Sequence, residues 1–166
     1  GTGSATTVYF NHPAVSGVRS GSIETFDTNL GLATFISGLN NPSGLVLDES
    51  GNLYFGNVVD SKHVNIYEAA PDGTLTSLGP AYNISGSINV GGWGFDTALR
   101  SAGELYFTRP AEIGVTGGSI EKRDLNGQIT TVVSGLSNPS GLAFDSDGNL
   151  YFGNVPDALH ISIFKL

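Results

Sequence analysis

The chain has 166 residues, 39% of them hydrophobic, and its 15 acidic against 7 basic residues give a formal charge of -8. Basic residues scattered singly leave no electrostatic footprint for a phosphate backbone or an anionic bilayer, which excludes a nucleic-acid partner. The absence of Cys excludes disulfides and thiol chemistry. Apolar runs are short and broken by Gly, Asn or Asp, far below the roughly 20 residues that span a bilayer, so no membrane span is expected. With 24 Gly and few runs of Ala, Leu, Glu or Lys, helix has little support, whereas Val, Ile, Thr, Tyr and Phe recur in short runs between turn signals. The expected class is all-β. An acidic, Lys-poor, Gly- and Asn-rich composition points to an extracellular or periplasmic location. The lack of any Met or leader segment predicts a mature, processed or partial chain, with Gly1-Thr2-Gly3-Ser4 having the composition of a cloning scar.

In chain order, residues 7–37 read as three short strands, 42–79 as four, 91–134 as four and 139–166 as three. Within the second group the strands are expected at 44–48, 52–57, 63–69 and 74–78. The turns Glu49-Ser50-Gly51-Asn52 and Pro71-Asp72-Gly73 carry the Gly and Asn that accept positive φ in hairpins. This order repeats. Pro42-Ser43-Gly44-Leu45 through Leu53-Tyr54-Phe55-Gly56-Asn57 returns as Pro139-Ser140-Gly141-Leu142 through Leu150-Tyr151-Phe152-Gly153-Asn154, displaced by 97 residues without a gap. Gly21-Ser22-Ile23-Glu24 returns as Gly118-Ser119-Ile120-Glu121, Tyr9-Phe10 as Tyr106-Phe107, and His63 as His160, at the same offset.

A weaker half-period, in which Pro42-Ser43-Gly44-Leu45-Val46-Leu47-Asp48 is echoed by Val90-Gly91-Gly92-Trp93-Gly94-Phe95-Asp96, reduces the unit to 45 to 50 residues. Four short antiparallel strands per unit of that length are the signature of a β-propeller blade. The rungs of a β-solenoid are shorter and need no Pro-Asp-Gly hairpin. The expected architecture is therefore one β-propeller segment over 1–166, built of four-stranded antiparallel blades. About 3.5 blades are present: a partial blade at 7–37, blades at 42–79 and 91–134, and a partial blade at 139–166. Propellers close with 4 to 8 blades, so either the ring is larger than this segment or incomplete edge blades pair with a second copy as a homo-oligomer.

The motif Ser-Gly-Leu-x-Asn-Pro-Ser-Gly-Leu-x-x-Asp-x-x-Gly-Asn-Leu-Tyr-Phe-Gly-Asn, at 37–57 and 134–154, resembles the NHL-type repeats. It is also similar to the blades of senescence-marker/gluconolactonase-like propellers, and the resemblance covers essentially the whole chain. It implies the fold, most often with six blades, but no single activity, because this blade type serves lactonases, lyases and protein-binding modules alike. For the metal-dependent members it implies an Asn in a Pro-Asn-Gly-Leu motif and an Asp after the second strand as ligands of a divalent cation. Here those positions are Ser43 and Ser140, and Asn57 and Asn154. Hard cations favour carboxylate oxygens, so no metal or cofactor is expected, with calcium as the alternative.

In a propeller the loops after the second and fourth strands ring one mouth of the channel and the tight hairpins ring the other. The hairpin end carries Asp48-Glu49-Ser50-Gly51 and Asp145-Ser146-Asp147-Gly148, which is turn chemistry. The loop end collects the candidate ligand-binding residues. Asn57 and Asn154 offer amides to water, a sugar or a carbonyl, or else tie blades together, and Asn11 is a further candidate at the same end. Trp93 offers a stacking face or packs between blades. Arg109 offers a carboxylate clamp or, with Glu112, a surface ion pair. His63 and His160, each three residues after an Asp, are alternative acid-base groups together with Glu112.

The favoured reading is an exported propeller acting as a binding or interaction scaffold, whose partner is a small molecule, a glycan or a protein. The alternatives are a lactonase- or lyase-like hydrolase at the channel mouth, and an oligomerising segment with no catalytic role.

Overall fold

The computed structural model describes residues 6–14, 20–60, 63–83, 95–100, 103–111, 117–157 and 159–166. Among them are fourteen strands and no helix, arranged as four antiparallel sheets. The first sheet is β1 (Thr7–His12), β2 (Gly21–Asp27) and β3 (Gly31–Leu39). The second is β4 (Asn41–Leu47), β5 (Leu53–Asp60), β6 (His63–Ala69) and β7 (Leu75–Asn83). The third is β8 (Thr97–Leu99), β9 (Leu105–Arg109), β10 (Gly118–Arg123) and β11 (Ile129–Leu136). The fourth is β12 (Pro139–Phe144), β13 (Leu150–Asp157) and β14 (His160–Lys165). Each sheet pairs strictly in sequence order, as a blade does.

The middle strands of the second and third sheets are apolar on both faces because each of these sheets is sandwiched between two others. Along β5, Leu53 and Phe55 turn toward the first sheet and pack with Ile23, Ile36, Leu39 and Ala69. Tyr54 and Val58, with Val64 and Ile66 of β6, turn the other way onto Phe95, Leu105 and Phe107 of the third sheet. Period-2 alternation thus feeds two separate layers of core from one strand. A third layer, Tyr106, Ile120, Leu136, Leu150 and Phe152, joins the third and fourth sheets. Aromatic pairs recur with the repeat: Phe55 stacks on Tyr67 at 5.7 Å between ring centroids and Phe152 on Phe164 at 5.3 Å.

The hairpins form as their sequence predicts, through a side-chain clamp. Asp48 Oδ1 accepts from the backbone N–H of Ser50 (2.9 Å) and Asn52 (2.8 Å), and its Oδ2 accepts from Asn52 Nδ2 (2.8 Å). Asp145 repeats this with Asp147, Asn149 and Asn149 Nδ2 at 3.0, 2.8 and 2.7 Å. The tight turn then needs a left-handed residue, which Gly51 (φ 84°) and Gly148 (φ 81°) supply.

Strand bounds differ from expectation at two prolines. β4 begins at Asn41 and includes Pro42, and β7 runs to Asn83 through Pro80. Both strands pair on one side only, so a residue without an N–H costs no ladder bond on the free edge.

Phe107 is fully buried between the second and third sheets. Phe107→Ala should cost about 3–5 kcal/mol in urea unfolding. A Cβ at Gly56 would fall within the Phe95 ring, so Gly56→Ala should cost about 1–3 kcal/mol by overpacking. Near-neutral effects at both positions would refute this layer.

Candidate functional site

All four second strands, β1, β5, β9 and β13, lead away from the hairpin end, so their C-terminal residues Asn11, Asn57, Arg109 and Asn154 share the opposite end of the sheets. The structure ties three of these four to the backbone. Asn57 Oδ1 accepts from Asn40 N–H at 2.9 Å, and Asn154 Oδ1 accepts from Ser137 N–H and Asn138 N–H at 3.0 Å each. Both carboxamides therefore hold the crossover that carries the chain from an outermost strand to the next innermost one. Asn11 Nδ2 donates to Pro42 carbonyl oxygen at 2.8 Å, linking the first sheet to the second.

The same end is laced further by inner-strand contacts. Thr97 Oγ1 donates to the Gly44 carbonyl at 2.6 Å, joining β8 to β4. Gly141 N–H donates to Asp96 Oδ2 at 2.7 Å, joining the third sheet to β12. Both glycines have positive φ, 63° at Gly44 and 61° at Gly141, beside shifts in the β4–β5 and β12–β13 registers. The bulge turns a backbone group of each inner strand toward its neighbour.

Arg109 closes β9, and its charge partly offsets the burial that raises the Tyr82 hydroxyl far above its ordinary pKa. His63 and His160 are exposed at the first positions of β6 and β14, and their register partners are Asp60 and Asp157. The His and Asp positions of each repeat are thus backbone register partners on either side of a two-residue connection. Trp93 and Glu112 lie outside the described residues.

The metal centre that the resemblance implies does not fit this donor set. The side-chain oxygens of Asn57 and Asn154 point at N–H donors, and a cation would have to displace those bonds. Ser43 Oγ is buried with no hydrogen-bond partner, a single neutral hydroxyl. Among the described residues no group of three or more His, Asp or Glu side chains is placed to hold a metal.

At the hairpin end lies a cleft of about 590 Å³ between the inner strands of the second, third and fourth sheets. Leu47, Leu99 and Phe144 form its apolar walls, and Asp48, Arg100 and Asp145 its rim. Sequence reasoning passed over it because the aspartates read as turn residues. The signal available was Arg100, which takes the strand-end position that is Asp48 and Asp145 in the neighbouring sheets. Its guanidinium stands 3.8 Å from Glu104, which also pairs with Lys122 at 2.8 Å.

Fold and lacing define the chain as a β-propeller segment. It is similar to a gluconolactonase from Xanthomonas campestris, with a TM-score of 0.62 and 16% identity over 87% of this chain and 51% of that one. A putative gluconolactonase aligns with a TM-score of 0.61 and 14% identity over 98% of this chain and 67% of that one. TolB from Acinetobacter baumannii aligns with a TM-score of 0.68 and 14% identity over 96% of this chain and 38% of that one. The chain thus spans about half the length of the Xanthomonas protein and less of TolB. No protein-family model and no curated protein sequence matches it.

Asn57→Ala strands the Asn40 N–H in a half-buried place and should cost about 1–3 kcal/mol, whereas Asn57→Asp, which keeps the acceptor, should cost less. An unchanged melting temperature for Asn57→Ala would show that the carboxamide holds nothing.

The turn carboxylates make a second prediction. Hydrogen bonds hold Asp27, Asp72 and Asp145 below the usual carboxylate range: the backbone of Asn29 at Asp27, the backbone of Thr74 at Asp72, and the side chain of Asn149 at Asp145. At Asp48 burial pushes the other way but is outweighed by Asn52 and Ser50. Folded pKa values below unfolded ones mean that this stabilisation is complete above about pH 5 and lost progressively as pH falls through the folded values. Melting temperature should therefore drop below about pH 4, and Asp48→Asn with Asp145→Asn should flatten that acid limb; an unflattened limb would place the titrating groups elsewhere.

Proposed function

We propose that the chain is part of an exported, NHL-like propeller that works as a binding scaffold, with its ligand at the loop end of the sheets, which holds Asn11, Asn57, Arg109 and Asn154 and to which the sequence assigns Trp93. The observation that carries this reading is the use of the Asn57 and Asn154 oxygens. Positions that the resemblance assigns to metal ligands hold backbone crossovers instead, which makes a rigid rim rather than a Lewis-acid centre. A rim fixed in this way leaves the Asn154 carboxamide nitrogen and the Arg109 guanidinium for a ligand at little entropic cost on binding, with Trp93 assigned to it from the sequence. That chemistry suits a glycan, a small polar molecule or a peptide. The acidic, Lys-poor composition supports export, and among the described residues no helix is long and apolar enough to cross a membrane. Likeness to gluconolactonases at 14–16% identity supports the scaffold and leaves the chemistry to the site.

Calorimetry with calcium, a lactone-hydrolysis assay and a glycan and peptide array test this together. The expected outcome is no stoichiometric calcium binding, no turnover, and saturable binding that Arg109→Gln weakens by about tenfold, or about 1.4 kcal/mol, at unchanged melting temperature. Stoichiometric calcium with lactone turnover would overturn the reading in favour of the hydrolase. In that case His160→Ala should abolish turnover without loss of stability.

A further inference from the structure

The fourth sheet exposes a face that the rest of the chain shows how to cover. At the offset of 97 residues the fourth sheet repeats the second, and the first repeats the third. In the second sheet, Val64 and Ile66 are 3% and 0% exposed beneath the third sheet. Their equivalents in the fourth, Ile161 and Ile163, are 73% and 78% exposed. The other half of that interface is also duplicated. Leu105 and Phe107 of the third sheet, 3% and 0% exposed, correspond to Val8 and Phe10 of the first, which are 51% and 37% exposed. Phe26 and Leu32 extend this open apolar face at the hairpin end of the first sheet.

We propose that the outer face of the fourth sheet docks the outer face of the first sheet of a second copy, so that copies join head to tail. The contact would repeat the one already built between the second and third sheets. The two open faces repeat the β5–β6 part of one half of that interface and the β9 part of the other, and single exposed apolar residues would need no such explanation. Charge agrees with the pairing. Where the second sheet has Glu68 the fourth has Lys165, whose ammonium lies 5.5 Å from the centre of the Tyr151 ring on the open face. The described strands of the first sheet carry Glu24 and Asp27 and no Lys or Arg.

Several elements of the internal interface have no described counterpart on the open faces: Leu78, Ala81 and Tyr82 of β7, Leu99 of β8, and Phe95. The Phe95 ring lies against Gly56, but the first sheet has no described counterpart of Phe95, and nothing outside Ser140 lies near a Cβ built at the equivalent Gly153. A docked copy therefore leaves that slot unfilled. The association is accordingly the weaker version of the internal contact, in the micromolar range. Because both faces are heterologous, copies add in one direction and close into a ring only if the rotation permits.

The test is solution mass by light scattering on the 166-residue chain from about 1 to about 200 μM, with Ile163→Lys and Val8→Lys as variants at exposed positions that leave the three core layers intact. Mass should rise with concentration for the natural sequence and stay monomeric for each variant alone. An equimolar mixture of the two variants should form a one-to-one complex, because each keeps the half that the other has lost. A natural chain that stays monomeric at 200 μM overturns the proposal and leaves both faces to further blades of a longer chain. Variants that fail to associate when mixed also overturn it and point to like-with-like pairing. Neither outcome touches ligand binding at the loop end, which is read separately by the array.

Discussion

Everything in this molecule depends on sheet-on-sheet packing. A four-stranded antiparallel sheet with apolar side chains on both faces has no stable existence alone in water, since each face leaves large aliphatic and aromatic groups solvated. The second and third sheets solve this for each other through Val64, Ile66, Leu105 and Phe107. The first and second solve it through Ile23, Ile36, Leu53 and Phe55, and the third and fourth through Ile120, Leu136, Leu150 and Phe152. Stability is thus a sum of nearest-neighbour terms, as in other repeat proteins. Loss of one layer exposes two faces at once.

Packing alone would let sheets slide, because apolar contact is non-directional. Register between neighbours is set by the polar lacing near the inner strands. Asn11 to Pro42 joins the first pair, Thr97 to Gly44 the second, and Gly141 to Asp96 the third, at 2.8, 2.6 and 2.7 Å. Each is a different side chain carrying out one task, to satisfy a backbone group that the inner strand, paired on one side only, leaves over. The crossover clamps of Asn57 and Asn154 act at the same end. The described part of the loop end is therefore hydrogen-bonded between neighbouring sheets, as the hairpin end is hydrogen-bonded within each turn.

Most of the fold was legible because a repeat converts a single local pattern into a global one. The 97-residue offset, the Asp-x-x-Gly-Asn hairpins and the alternation along Leu53-Tyr54-Phe55 each correspond to a physical device now seen in place. The NHL name is a finer matter than the fold, and the structural likenesses bear only on the latter. What the sequence concealed was the employment of polar residues. Asn57 has the same letter whether its carboxamide meets a ligand or a backbone N–H, and only the position of Asn40 distinguishes the two. The hairpin-end cleft was hidden for a related reason, since Asp48 and Asp145 have saturated turn roles and say nothing of the space between the turns. Trp93 and Glu112 stay as the sequence left them.

The repeat also explains why function is harder to read than fold. Duplication copies every residue, so His63 and His160, or Asn57 and Asn154, occur twice by descent whether or not either is used. Informative positions are those where the copies diverge under a common backbone. Thr108 and Asn11, Arg109 and His12, and Lys165 and Glu68 are such pairs. The first pair divides labour within the lacing, since Asn11 reaches Pro42 while Thr108 Oγ1 accepts from Asp96 N–H at 3.0 Å. The second changes the charge of the loop-end rim from one sheet to another, and the third changes the charge of a sheet face. Packing thus sets the geometry that both copies share, and the divergent positions at the loop end and on the sheet faces are where the two repeats differ in surface chemistry.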